Sequence, residues 1–232
     1  VKTLANINEN LEAFERKFGL TVRDAQQGSG RWLELKLGVI SASNASKLVA
    51  NKTSETRLSY MCDLISEIST GAIEEMNFKQ LEWGKAHEDA ARSSYEFETG
   101  HKMNQVLFVF KDDSYREGCS PDGLLEVPKG AEIKCPWDSA NYVKFLVSEK
   151  IKPEWQWQNQ FNMRVTGADE WDFVMYDPRM KKSPMKRITV ARDEKMQATL
   201  NEAVPEFISD MDQMLKKVGI EFGDQWKRLG GL

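Results

Sequence analysis

The sequence predicts an α/β fold in which a mixed central β-sheet is flanked by helices. Two observations carry this. Apolar residues recur at helical spacing before residue 100 and again after residue 193. Short strand-like runs crowd between 104 and 135 and return near 171–176 and 186–191. A third is the punctuation, because Gly19, Gly71 and Gly100 stand where helical stripes run out. With 232 residues, 41% of them hydrophobic, and no Pro/Gly/Ser linker, low-complexity tract or repeat, one domain over residues 1–232 is expected.

Residues 3–18 read as the first helix, with Leu4, Ile7, Leu11, Phe14 and Phe18 on one stripe. A link over 21–27 follows, then helices over 31–37 and 42–49 on either side of Gly38-Val39-Ile40-Ser41. Further helices are expected over 58–70 and 81–99. Strands are expected over 104–110, 114–120, 123–127 and 131–135, with Pro128-Lys129-Gly130 as the last turn and Pro121-Asp122-Gly123 as a bend at or after the end of the 106–110 run. Helices return at 139–147 and 153–166, and the strands near 171–176 and 186–191 complete the sheet. The last helix, 193–217, carries Met196, Leu200, Val204, Phe207, Ile208, Met211 and Leu215 on its apolar face.

Composition narrows the function classes. No apolar run approaches the length of a membrane span, and no signal-peptide pattern opens the chain, so a membrane role is not expected. Cys62, Cys119 and Cys135 are an odd, scattered set that fits reduced cytosolic thiols rather than a disulfide framework. Two histidines and no Cys-x-x-Cys argue against a structural zinc site. A net charge of −4 is awkward for a nucleic-acid enzyme, unless Lys and Arg concentrate on an inner wall.

The most informative stretch is Cys119-Ser120-Pro121-Asp122-Gly123-Leu124-Leu125, followed by Ala131-Glu132-Ile133-Lys134-Cys135-Pro136. On a strand, Glu132 and Lys134 point one way and Ile133 goes to the core. If the bend brings Asp122 to the same face, two carboxylates and one ammonium converge. Phosphodiester hydrolysis needs that set: hard oxygen ligands for Mg²⁺, and a point charge for the hydroxide or the transition state. Taken alone, the residue types equally fit a solvated cross-strand pair and an ordinary Pro-Asp-Gly hairpin. Glu88 is likewise open, because on a helix it pairs with Arg92 at i, i+4.

Ser-Pro-Asp-Gly-Leu with Glu-Ile-Lys-Cys-Pro resembles the phage lambda exonuclease family of alkaline exonucleases, within the PD-(D/E)xK nuclease superfamily. Collinear blocks extend the likeness from about Asp24 to Trp226: 37–43, 82–88, Tyr176-Asp177-Pro178-Arg179-Met180-Lys181, 204–208 and Gly223-Asp224-Gln225-Trp226. The resemblance implies a restriction-endonuclease-like core. It also implies catalytic roles for Asp122, Glu132, Lys134 and Glu88, and a metal held by Asp122, Glu132 and the backbone carbonyl of Ile133. The cofactor implied is Mg²⁺, two ions, with Mn²⁺ as a substitute. A pocket for a terminal 5′-phosphate is implied at Ser43, Ser120, Gln160 and Lys36, with Gln158 beside it and Arg31 close enough to help. Lys36 stands where the lambda family has an arginine, so the charge is kept but the bidentate fork is lost. Trp32 matches a tryptophan of the family's first block. It and Trp155 or Trp157 are candidate base-stackers, whereas Trp83 and Trp171 are expected in the core, as are Cys119 and Cys135.

The function so implied is a 5′→3′ exonuclease that digests one strand of linear double-stranded DNA to mononucleotides and leaves a 3′ single-stranded tail. The implied partners are double-stranded DNA ends, a phage-type single-strand annealing protein and two further copies in a homotrimer ring. The implied location is the bacterial host cytoplasm of a phage or prophage. The alternatives are a structure-specific or restriction-type endonuclease of the same superfamily, and a non-catalytic DNA-end binding module.

Overall fold

The computed structural model describes residues 1–73 and 78–227, without the side chains of 78–81. Its helices are α1 (Leu4–Phe18), α2 (Gly30–Lys36), α3 (Ala45–Leu48), α4 (Glu55–Thr70), α5 (Phe78–Thr99), α6 (Ser139–Ser148), α7 (Pro153–Thr166), α8 (Glu194–Val218) and α9 (Asp224–Lys227). Its strands are β1 (Ile40–Ser41), β2 (Val109–Phe110), β3 (Glu117–Cys119), β4 (Gly123–Leu124), β5 (Lys129–Lys134), β6 (Glu170–Tyr176) and β7 (Met185–Ala191). The α/β class is as expected. Its strands divide into two mixed sheets, ordered β1-β3-β2 and β4-β5-β6-β7. β5 runs parallel to β6, with Glu132 opposite Phe173, and antiparallel to β4, with Gly123 opposite Ala131.

The helices that the sequence delimits by glycine end there, since Gly19, Gly71 and Gly100 all adopt positive φ. Side-chain caps set several starts. Thr3 accepts from the Asn6 amide, and Ser54 accepts from the Arg57 amide, so α4 begins three residues before the expected 58. The helix expected over 42–49 breaks into a 3₁₀ turn at Ala42–Asn44 and the short α3. Ser41, Ser43 and Asn44 bond to one another there, which competes with a regular helix.

The hairpin region departs most from expectation. The run 104–110 keeps only β2, plus one isolated bridge from Asn104 to Leu124. The run 114–120 keeps only β3, because Asp112 Oδ1 accepts from the Ser114 amide and turns the chain, with Tyr115 at φ 58°. The Pro121-Asp122 bend therefore follows β3, not the 106–110 run. β4 stops at Leu124, and Lys129 and Gly130, expected in a turn, already belong to β5, paired with Glu170 and Trp171. α9 had no counterpart in the reading of the sequence. It inserts Trp226 beside Phe14, ring centroids 4.8 Å apart.

The two faces of the larger sheet are covered differently. Ala131, Ile133 and Val174 pack under α5 through Ala91 and Tyr95. Phe173 and Met175 face α6 through Tyr142 and Phe145, and Trp155 of α7 stacks on Phe173 at 5.4 Å. A third core joins α4, α7 and α8 through Ile68, Phe161 and Phe207. No helix among the described residues is long and apolar enough to cross a membrane.

Candidate active site

Strand alternation puts Glu132 and Lys134 on one face of β5 and Ile133 in the core on the other, as expected. Lys134 Nζ lies 2.6 Å from Glu132 Oε1. Helix α7 completes the setting. Gln158 Nε2 donates to the same oxygen at 2.6 Å, Asn162 Nδ2 donates to Glu132 Oε2 at 3.2 Å, and Gln158 Oε1 accepts from Lys134 Nζ at 3.1 Å.

Asp122 arrives by a defect in the ladder. β4 leaves β5 immediately before Gly123, so the next amide along β5 has no backbone acceptor. The Ile133 N–H donates instead to Asp122 Oδ2 at 2.6 Å. Gly123 is needed at the join, because a Cβ there would lie 2.8 Å from Met103 Cβ. Glu88 on α5 lines the same cavity and also pairs with Arg92 at 2.8 Å, the i, i+4 partner that its helix supplies.

The electrostatics mark this corner as strained. Burial pushes the Asp122 carboxyl well above the usual range, and the charges of Glu132 and Glu88 push it further. Glu88 is raised by burial, which outweighs Arg92. Lys134 would be lowered by burial, but Glu132 and Asp122 more than reverse that and hold its ammonium charged. Burial also pushes the neighbouring Cys135 thiol up to about 12, so it is no thiolate.

The cavity, about 410 Å³, continues to a second group of side chains. Trp32 Nε1 donates to Ser120 Oγ at 2.9 Å, which leaves the serine's own proton free to donate outward. Lys36 Nζ sits 3.6 Å from the centre of the Trp32 ring, and burial pulls its pKa down to about 8 against the attraction of Glu67. Ser43 lines the same wall, its hydroxyl 3.3 Å from that of Ser41.

Several expected residues are elsewhere. Gln160 faces away from the cavity, because two residues along a helix is more than half a turn from Gln158. Its amide donates to the Ala191 carbonyl and accepts from the Asp193 amide and Gln197. Gln158 is the α7 glutamine in the cavity, and it serves the Glu132–Lys134 pair. Arg31 turns outward to Glu34 at 2.7 Å. Trp155 is spent on Phe173, and Trp157 packs against the α4–α7–α8 core. Trp171 is in the core, but Trp83 is only half buried and packs against Trp137 and His87. The sequence reading missed Asn162, Lys85 and Trp137. The i, i+4 spacing of Gln158 and Asn162 was the available signal for the first.

Among the described residues no cluster of three or more acidic, His or Cys side chains is preformed as a metal cage. The donors that do converge fit a small hard cation in kind. They are carboxylate oxygens whose charge Lys134 and Arg92 partly offset, and such an ion takes few protein ligands and keeps waters.

The YqaJ-like viral recombinase domain family matches residues 31–169. An alkaline exonuclease from Laribacter hongkongensis superposes with a TM-score of 0.71 at 27% identity, covering 82% of this chain and 98% of that one. The same enzyme in complex with dAMP matches equally, at 26% identity. A phage-related exonuclease from Haemophilus somnus 129PT shares the fold, with a TM-score of 0.62 at 13% identity over 78% of this chain and 96% of its own. An Escherichia coli (strain K12) protein named ExoD is 44% identical over 79 residues, 34% of this chain and 91% of its own length.

Proposed function

This chain belongs to the YqaJ-like viral recombinase domain family and is a deoxyribonuclease of the exonuclease kind; from that footing we propose that it degrades one strand of linear double-stranded DNA from the 5′ end. The products would be mononucleotides and a 3′ single-stranded tail, suited to a single-strand annealing protein. The observation that carries this reading is one cavity lined by Asp122, Glu88 and Lys134, with the buried Glu132 bonded to Lys134 behind its wall, and, along the same cavity, the Lys36–Trp32–Ser120 group. The Laribacter enzyme's complex with dAMP supports a site sized for a deoxynucleoside monophosphate.

Asp122 and Glu132, with the Ile133 carbonyl, would hold Mg²⁺ or Mn²⁺, with Glu88 serving a second ion. A bound divalent ion would supply an activated water and charge neutralisation. Lys134 holds its ammonium against the carboxylates and steadies charge that grows on the phosphorane oxygens in the transition state. Gln158 and Asn162 fix the orientation of Glu132. Lys36 and the hydroxyls of Ser43 and Ser120 would receive the terminal phosphate.

The deciding experiment incubates the protein with 5′-phosphorylated linear DNA and with circular DNA, with and without Mg²⁺, and resolves the products. Mononucleotides from linear DNA alone support the proposal. Internal fragments from a circle would indicate an endonuclease, and binding without release a DNA-end binding module. A net charge of −4 gives a lone chain little hold on phosphates, so a ring of three copies around the duplex is part of the proposal. Light scattering should then report about three times 26.6 kDa.

A further inference from the structure

An aromatic shoulder borders the catalytic cavity. Trp137 lies three residues beyond Lys134 and is 52% exposed. The ring of Trp83 meets it edge to face, centroids 5.5 Å apart at 84°. Behind Trp83 stand His87, at 4.0 Å between centroids, and the Arg179 guanidinium, 4.4 Å from the ring centre.

A lone exposed hydrophobe needs no explanation. This one is unusual in how firmly its backbone is held. Arg179 grips the buried Asp177 carboxylate through Nε and Nη2, and donates from Nη2 to the Pro136 carbonyl and from Nη1 to the Trp137 carbonyl, each at 2.9 Å. On the other side, Asp138 caps α6 by accepting from the Ala140 amide. The chain is thus pinned on both sides of a ring that stays in solvent. A ring preset in this way loses little freedom when something stacks on it.

Position points to what that something is. Cys135, two residues before Trp137, and Gly84 and Lys85, immediately after Trp83, line the cavity that holds Asp122 and Lys134. The Lys85 side chain crosses towards Gly28, where a Cβ would meet its Nζ at 2.7 Å, so a cation stands at the same rim. An exposed aromatic ring backed by a guanidinium, on segments whose neighbouring residues line a phosphodiester-cleaving site with a cation at its rim, is a composition that holds unpaired nucleic acid.

We propose that Trp137, braced by Trp83 and Arg179, is a stacking platform for an unpaired nucleobase of the strand being cut, next to the phosphate that enters the cavity. The proposal rests on the nuclease reading and adds a substrate contact to it. Every base offers a π-face, so the platform holds the strand without sequence preference.

The test couples a protein change to a DNA change. An abasic linker is scanned over the first few nucleotides of the strand to be cut, and binding is measured with Ca²⁺ in place of Mg²⁺ to hold hydrolysis back. At one position the linker should weaken wild-type binding by roughly tenfold or more. Trp137→Ala should weaken binding to intact DNA by a similar factor, and the linker should then cost that variant nothing further. Trp137→Phe should keep most of the affinity, and 2-aminopurine at that position should be quenched by wild type but not by Trp137→Ala. Under Mg²⁺ the loss should fall mainly on KM. Additive penalties, or none, in a protein that still binds and cuts DNA would overturn the platform and leave the nuclease reading standing. Altered assembly with no coupling to the linker would assign the ring to a subunit interface and also overturn it. A wild-type protein that neither binds nor cuts DNA would remove both.

Discussion

Asp172 and Asp122 are acids placed beside the same strand, β5, and under the same helix, α5, yet the fold treats them in opposite ways. Asp172 is 1% exposed and saturated: Tyr95 Oη and Thr189 Oγ1 each donate at 2.6 Å, and Lys129 Nζ stands at 2.9 Å. Burial alone would raise its pKa, but the bonds from Thr189, Tyr95 and Lys129 outweigh that and hold the carboxyl below the usual range. Asp122 has one amide partner, faces the charges of Glu132 and Glu88, and is driven well above that range. A carboxylate surrounded by fixed donors ties a fold together. One left facing other carboxylates is destabilised by their charge, and such perturbed acids cluster at functional sites.

The contrast can be broken most sharply at Asp122. Asp122→Ala should lower turnover by roughly a thousandfold while DNA binding stays measurable. Asp122→Asn should be as inactive yet melt higher than wild type in metal-free buffer, because it removes a repelled charge and keeps an acceptor for Ile133. Wild-type turnover by either variant, or a lower melting temperature for Asp122→Asn, would contradict the assignment.

The mirror experiment is Asp172→Ala. It leaves Lys129 and Tyr95 facing a void and should cost about 3–5 kcal/mol in urea unfolding. The activity per folded molecule should remain near wild type. A large loss of kcat at full folding would show that Asp172 is not a purely structural acid.

Lys134 belongs to the strained corner, so Lys134→Ala should cut kcat by roughly a hundredfold with little change in DNA affinity. If affinity falls and turnover survives, the lysine is a phosphate clamp.

The smallest expected effects lie at Lys36, whose pKa of about 8 stands below the ordinary lysine value of 10.5. The unfolded chain therefore binds one more proton than the folded one between those values, so stability rises with pH across that window. Lys36→Met should remove the rise and stabilise the protein by roughly 3 kcal/mol at neutral pH. In kcat/KM, the advantage of 5′-phosphorylated over 5′-hydroxyl ends should be severalfold and should fade as pH rises through about 8 and the ammonium of the free enzyme is lost. Equal rates on both ends at pH 7 would take Lys36 out of the phosphate site.

Legibility followed the range of the interaction. Glu132, Ile133 and Lys134 could be sorted to two faces because alternation along a strand is a property of neighbouring residues. Gln158 against Gln160 could not be, since both fit a helix that is buried over most of its surface, with Asn159 and Phe161 inside as well. The expected strands over 104–110 and 114–120 had suitable composition, but the Asp112 turn left only short pieces able to pair.

The sequence by itself determined the α/β class, the glycine-ended helices, the pairing of Glu132 with Lys134 and the candidacy of Asp122, because each follows from local periodicity, a turn preference or a recognisable block. Only the tertiary structure decided that Asp122 fills a gap in the β5 ladder, that Trp32 meets Ser120, and that Arg179 pins Trp137 beside Trp83. Those contacts join segments 11, 88 and 42 residues apart and, for Arg179 and Trp83, farther still. Which distant surfaces meet is set by how the whole core packs, and no local pattern encodes it.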